Sequence, residues 1–291
     1  MNPPRPLLLL DSPSLAYRAF FALPASIRSP SGQPVNAVRG YLDMVSRLLT
    51  DRRPAGAVHT FDADWRPQWR VEAYPGYKAA RRPDPPELEG QFDILLEVLD
   101  AAGLPVVAVP GYEADDVIGT LAARATASAP VDIVTGDRDL LQLVRDPAVR
   151  VLFTVRGVRD LGTFDEAAVQ ARYRIPAARY ADFAMLRGDP SDGLPGVPGV
   201  GETTAARLIA THGSLAGVMA AVDVQSPRLR TALQQARDYL EAMRTVVPVA
   251  TDLNVVIPPR RPPDTARLEQ LGLRHAIEGP VQRLLTALTG C

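Results

Sequence analysis

At 291 residues with 46% apolar side chains, the chain is long enough for one large core, or one core with a smaller attached domain. No apolar run approaches the roughly 20 residues that span a bilayer, and the start reaches Asp11 too soon for a secretory signal, so a cytoplasmic location is expected. The only cysteine is Cys291, which excludes a disulfide framework and a cysteine zinc site, and the net charge of −1 offers no overall basic surface.

Along the first half, short apolar runs at Leu7–Leu10, Ala55–Phe61, Leu104–Val109, Val131–Thr135 and Val149–Phe153 alternate with helix-period stretches near Val35–Leu49, Leu88–Ala102 and Ala114–Ala125. Strand and helix in alternation predict an α/β fold, a mostly parallel sheet flanked by helices. From Asp165 helical patterns dominate, at Asp165–Tyr173, Ala178–Leu186, Glu202–Thr211, Leu215–Ala221 and Arg228–Thr245. They predict a helical second domain. Pro258–Asp264, with four prolines and two arginines, reads as a linker, and Thr265–Gly290 as a weakly patterned helical tail. The expected division is 1–163, 164–255 and 256–291, with no internal repeat.

Three of the runs end in an acid: Leu10 is followed by Asp11, Phe61 by Asp62, and Thr135-Gly136 by Asp137. In a parallel sheet all carboxyl ends share one edge, so these side chains should converge where open α/β sheets bind ligands. Any one alone would be an ordinary helix N-cap. Asp139 adds a fourth carboxylate. Gly111-Tyr-Glu-Ala-Asp-Asp116 opens a helix with Glu113, Asp115 and Asp116, more acids than capping requires and mutually repulsive without a cation. Gly188-Asp-Pro-Ser-Asp-Gly193 adds Asp189 and Asp192 in a loop that reads equally well as a turn. Oxygen ligands without Cys or His point to Mg²⁺ or Mn²⁺. So many carboxylates suit two ions about 3.5–4 Å apart, the arrangement that clamps the attacking and leaving oxygens of a phosphodiester.

Leu194-Pro-Gly-Val-Pro-Gly-Val-Gly-Glu-Thr-Thr-Ala-Ala-Arg207 places Gly196, Gly199 and Gly201 just before a helix. Their spacing fits a helix-hairpin-helix, which grips a nucleic-acid backbone without reading bases. Its carbonyls are also expected to suit a monovalent cation such as K⁺. Setting the nine acids aside leaves 24 against 32 Lys plus Arg, a balance that permits a polyanion partner. Of those basic residues only Lys78 is lysine. A lone compact ammonium in an arginine-biased chain suggests a position where Arg cannot substitute.

Taken together and in this order, Leu9–Arg18, Phe61-Asp62, Tyr74–Arg81, Gly111–Asp116, Thr135–Leu140, Gly188–Gly193 and Gly196–Ala205 resemble the 5′ nuclease family, the 5′–3′ exonuclease domain of bacterial DNA polymerase I and the related flap endonucleases. The resemblance covers roughly residues 7–255. It implies a PIN-like or resolvase-like core, an arch at about residues 66–92, and hydrolysis of DNA at 5′ flaps, nicks and gaps, including RNA primer–DNA hybrids, in primer removal and repair.

It implies two clusters of divalent-metal ligands: Glu113, Asp115, Asp116, Asp137 and Asp139 with Asp11 and Asp62 nearby, then Asp189 and Asp192. It assigns Lys78 and Arg81 to the gateway for a single strand, with Lys78 on the scissile phosphate and Tyr77 stacking on a terminal base. Asp115 and Asp137 are expected to be indispensable. Trp65 and Trp69 lie close enough to stack on bases, though core packing is an equal expectation. Gly196, Gly199, Gly201, Thr203 and Arg207 would hold the duplex. Thr203 stands where the family often has Lys, so one phosphate contact is lost there or supplied by Arg207. Gly193 stands where Asn is common. With no room for a polymerase domain, a stand-alone and monomeric enzyme is expected. A PIN-like ribonuclease and a non-catalytic branched-DNA binding protein are the rival readings.

Overall fold

The computed structural model describes residues 4–290, so Cys291 and the first three residues of the amino-terminal segment lie outside the described residues. Among the described residues six strands form one sheet: β1 (Leu7–Asp11), β2 (Gly56–Thr60), β3 (Val106–Val107), β4 (Val131–Thr135), β5 (Val149–Thr154) and β6 (Leu161–Phe164). Their order is β3-β2-β1-β4-β5-β6; only the β5–β6 pair is antiparallel. β1 sits at the centre with Leu9 beside Val58 and Ile133. It is buried on both faces, so its four leucines divide between two cores: Leu9, with partly buried Leu7 beside it, enters one, and Leu8 and Leu10 the other.

Two strands depart from expectation. The run Leu104–Val109 yields only the two residues of β3, since Pro105 and Pro110 lack the N–H that a longer ladder needs. β6 is an edge strand of mixed polarity and half-exposed side chains, without the apolar run that marks the buried strands.

One face of the sheet is covered by α1 (Ser12–Ala22), α2 (Asn36–Arg52) and α4 (Pro86–Ala101), with α3 (Gln68–Ala73) between the last two in sequence. α1 is absent from the helix patterns of the sequence; it opens at Ser12 because Asp11 caps it by accepting from Ser14 N at 3.2 Å, with Pro13 in its first turn. α1 lies close on α2, where a β-carbon at Gly40 would stand 2.7 Å from that of Ala19. The segment expected to arch, 66–92, is built from α3, a run of turns, the extended residues 81–85 and the start of α4.

The other face carries α5 (Ala114–Ala123) and the helical second half: α6 (Glu166–Tyr173), α7 (Tyr180–Arg187), α8 (Glu202–His212), α9 (Leu215–Ala220), α10 (Pro227–Gln235) and α11 (Arg237–Val246). The stretch expected as one helix over Arg228–Thr245 breaks at Ala236 into α10 and α11. Phe183, Leu186, Ile209 and Met243 share one continuous core with Leu9, Val58 and Ile133, so the second half is packed onto the sheet. The proline-rich segment then returns across the molecule, with Arg261 N donating to Gly103 O and Asp264 N to Ala101 O. Beyond it α12 (Thr265–His275) and α13 (Glu278–Thr289) place Leu268, Leu271, Ile277, Val281 and Leu284 in the core under Leu8 and Leu10. No helix among the described residues is long and apolar enough to cross a membrane.

Candidate active site

The carboxyl ends of β1, β2 and β4 open onto a cleft of about 1370 Å³ lined by Asp11, Asp62, Glu113, Asp115, Asp137 and Asp189, together with Lys78 and Arg81. Asp139 and Asp192 border the same field: burial raises Asp139, with Asp137, Asp189 and Asp192 adding to it, and burial raises Asp192, with Asp137 and Glu113 adding to it. Eight of the nine expected carboxylates, from five separate stretches of sequence, therefore meet at one sheet edge.

Local bonding fixes most of them. Asp11 accepts from Thr135 Oγ1 at 2.5 Å, Asp62 from Ala114 N at 2.7 Å, Asp137 from Asp139 N at 2.8 Å, and Asp189 from Ser191 N at 2.8 Å. Burial pushes the Asp11 carboxyl up to about 7, against the Thr135 bond and aided by Asp137 and Asp62. Burial, then Asp137 and Asp11, raises Asp115 well above the usual carboxylate range, and burial brings Asp192 up to about 6 despite Lys78. These are acids for which the cleft provides too little positive charge.

The ninth acid is elsewhere. Asp116 is fully buried and accepts from Arg70 Nη1 (2.8 Å) and Nη2 (2.7 Å), from Ala250 N (2.8 Å) and from Glu113 N (3.2 Å). Four donors occupy its oxygens, so it is a brace beneath the pocket and leaves no lone pair for a cation. Arg70, from α3, also donates to Glu113 Oε2 at 2.6 Å and to Val246 O at 3.0 Å, tying the acid cluster to the end of α11. Nothing in the sequence marks Arg70; burial alone distinguishes it from 30 other arginines.

Tyr77 corrects a second expectation. It is 4% exposed, and its hydroxyl donates to Glu113 Oε2 at 2.7 Å, so its ring is not available to stack on a base. Lys78 follows with a left-handed backbone (φ 50°) fixed by its N–H on Asp192 O at 2.8 Å, and its ammonium donates to Glu113 Oε1. Burial opposes its charge, but Glu113 and Asp192 hold the ammonium above its ordinary value. Trp69 packs, with Nε1 on Gly111 O, while Trp65 is half exposed on the cleft wall. Arg81 is exposed at the mouth.

The glycine loop is joined to this site. Asp189 and Leu194 exchange backbone bonds of 2.8 Å, and Gly193 (φ 72°) lies so close to Gly76 that a β-carbon would stand 2.5 Å from its carbonyl oxygen. That contact gives a steric reason for glycine at 193. Gly196 is buried, with its N–H on Tyr239 Oη, so it shapes the hairpin from within and does not face a duplex as expected. Gly199 and Gly201 are exposed, with Thr203 and Arg207 on one outer face of α8.

The donor set suits a hard divalent cation. All the candidate donors are carboxylates, burial and then neighbouring acids raise Asp11 and Asp115, and Asp139 Oδ1 is buried without a hydrogen-bond partner. Among the described residues no three acids are already drawn into a closed cage, which accords with their repulsion.

Two family models divide the chain between them. Residues 6–174 match the N-terminal resolvase-like domain of 5′-3′ exonucleases, and residues 175–267 match their C-terminal SAM fold. The chain belongs to the 5′-3′ exonuclease family. It is 53% identical to a 5′-3′ exonuclease of Streptomyces coelicolor over 304 aligned positions, 97% of this chain and all of that one. A 5′-3′ exonuclease of Mycobacterium tuberculosis is 47% identical over 97% of this chain and 98% of its own. DNA polymerase I of Mycobacterium bovis matches at 45% identity over 92% of this chain and 29% of its length. As a 5′-3′ exonuclease family member the chain is a nuclease, a hydrolase of phosphodiesters. The fold recurs in the flap endonuclease of bacteriophage T5 (TM-score 0.67, 16% identity, 97% of this chain and 99% of that one) and in the catalytic core of Rad2 (TM-score 0.63, 14% identity, 97% and 91%).

Proposed function

We propose that this exonuclease is structure-specific, cutting DNA at 5′ flaps, nicks and gaps with divalent cations, Mg²⁺ or Mn²⁺, held by Asp11, Asp62, Glu113, Asp115, Asp137, Asp139, Asp189 and Asp192. The single observation that carries the reading is the convergence of these carboxylates on one cleft whose charge is left uncompensated. Support also comes from the T5 flap endonuclease, which has been crystallised with DNA and metal ions, and from the Rad2 core, crystallised with a DNA substrate.

Bound divalent cations would supply an ionised water at neutral pH and neutralise the departing oxygen. The chain's own residues do the rest. Asp115 and Asp137, close enough for the charge of Asp137 to raise the Asp115 carboxyl, would hold the cations against the scissile phosphate. Lys78, kept charged by Glu113 and held on a fixed backbone, faces the charge that develops on that phosphate. Arg81 at the mouth admits the strand. Gly199, Gly201, Thr203 and Arg207 hold the duplex behind the cut through its backbone, which leaves sequence unread. Asp116 and Tyr77 act by positioning Glu113.

Asp115→Asn and Asp137→Asn are expected to abolish cleavage of a 5′-labelled flap in Mg²⁺ while flap binding persists, with wild-type products sized on the same gel. Turnover retained by both variants would refute the metal role, and preference for an RNA hairpin over the flap would refute the substrate class.

A further inference from the structure

Three polar side chains without a part in the steps above lie buried beneath the acid edge. Ser12, Tyr41 and His59 are each fully enclosed, and Tyr41 belongs to the apolar core that contains Leu8, Leu10, Leu42 and Val45. Tyr41 Oη stands 2.7 Å from Ser12 Oγ and 2.6 Å from His59 Nδ1, while Ser12 Oγ donates to Leu10 O at 3.3 Å. A hydroxyl has one proton to give, and this sets the direction of the series. Ser12 gives its proton to Leu10 O, so Tyr41 donates to Ser12, and His59 donates to Tyr41 from Nδ1. His59 Nε2, which has no partner, then carries only a bare lone pair. The other tautomer would bury an N–H there with nothing to accept it, a rarer and costlier arrangement.

The series ends on the peptide that precedes Asp11. Leu10 O and Asp11 N share one planar unit, and a second buried hydroxyl, Thr60 Oγ1, donates to the same oxygen at 2.8 Å. Asp11 turns the chain from β1 into α1 with φ −70° and ψ 85°, values of neither a strand nor a helix. The peptide behind it therefore sets where its carboxylate points, between Thr135 Oγ1 and Ser14 N. A buried polar series whose donors are all used rigidifies what it is bonded to. We propose that the directed series from His59 through Tyr41 to Ser12 positions Asp11 for a divalent cation. The inference rests on the metal-dependent nuclease reading and adds to it three positioning residues, which, being enclosed, touch neither cation nor substrate.

Heteronuclear NMR of the His59 ring in the wild type reads the direction of the series. A proton on Nδ1 is expected, and one on Nε2 would overturn it. Tyr41→Phe keeps the ring and removes the central hydroxyl. Its Mn²⁺ affinity, measured by electron paramagnetic resonance without DNA, is expected to fall about 10-fold, the low end for loss of a partner behind a metal ligand. Cleavage of a 5′-labelled flap should then need about 10-fold more Mg²⁺ to reach half its maximal rate. Ser12→Ala cuts the last link and should weaken Mn²⁺ to a similar extent, with the double variant no worse than either alone. Ser46→Ala is the control, because it removes another buried hydroxyl of α2, one that donates to Leu42 O at 2.7 Å, and it should leave Mn²⁺ affinity unchanged. A Tyr41→Phe affinity within twofold of the wild type would overturn the proposal, as would an equal loss in Ser46→Ala. A wild type that binds Mn²⁺ without cutting the flap would sink the nuclease reading alone, since the binding comparison needs no turnover.

Discussion

Arg70 grips Asp116 with both terminal nitrogens, at 2.8 and 2.7 Å, in a setting where each side chain is almost wholly enclosed. A buried pair of this kind contributes little net stability when intact, but removal of one partner strands the other charge and costs about 3–5 kcal/mol. Asp116→Asn is therefore expected to lower the denaturation midpoint strongly in the absence of metal. Asp137→Asn, at an exposed position, should leave it unchanged or raised while still abolishing cleavage. Equal stability of the two variants, measured by urea unfolding, would remove the distinction between brace and ligand.

Lys78 is the next point of test. Its ammonium is within the cleft, its backbone is left-handed, and its N–H is committed to Asp192 O. Lys78→Ala should reduce the single-turnover rate about 10²–10³-fold, the range found for loss of one preorganised donor, with flap affinity little altered. Lys78→Arg should be nearly as poor, because the planar fork cannot take the place of a compact ammonium against Glu113. Wild-type turnover by the arginine variant would show that only the sign of the charge matters there.

The parallel sheet and its acidic edge were readable because buried strands are continuous apolar runs, and residues after their last members must share an edge. Asp11, Asp62 and Asp137 follow from that geometry alone. Asp115 and Asp116 could not be told apart, since which one faces the cleft depends on the phase of α5 against Arg70, 46 residues upstream of Asp116. Arg70 itself carries no local signal; its burial follows from the contact of α3 with α11. Tyr77 and Gly196 were misread for the same reason, because a side chain's direction within a turn is set by what packs on it. α1 is not among the helix patterns of the sequence, although Asp11, one of the acids that alone would read as an N-cap, does cap it.

His59 gives the fold an acid limit of its own. It is wholly buried in β2, its Nδ1 lies 2.6 Å from Tyr41 Oη, and its Nε2 has no partner, so burial brings its pKa down to about 3. The unfolded chain takes up this proton near pH 6.5 and the folded one does not. Stability from the neutral ring is thus complete above pH 6.5 and declines by about 1.4 kcal/mol per pH unit as pH falls from there toward 3. His59→Phe cannot titrate, and Tyr41 keeps Ser12 as a partner at 2.7 Å. Between pH 6 and 4 its unfolding free energy should therefore fall less steeply than that of the wild type, by about one proton. Parallel slopes would mean that His59 is not the group responsible.

On the outer face of α8, Thr203 and Arg207 are exposed four residues apart, directly after the open glycines 199 and 201. A hairpin that holds a duplex by its phosphates should reveal each contact in the salt dependence of binding, because every neutralised phosphate releases counterions and steepens log K against log salt by about 0.9. Arg207→Ala is expected to flatten that slope by about one contact and weaken duplex binding at every sequence tested. Thr203→Lys should steepen it by about one and tighten binding at low salt. The rate at saturating DNA should stay the same in both, since neither side chain lines the cleft where the acids converge. If both variants kept the wild-type slope, the duplex would have to lie on another face, and the path from hairpin to Lys78 would need redrawing around the actual contact surface.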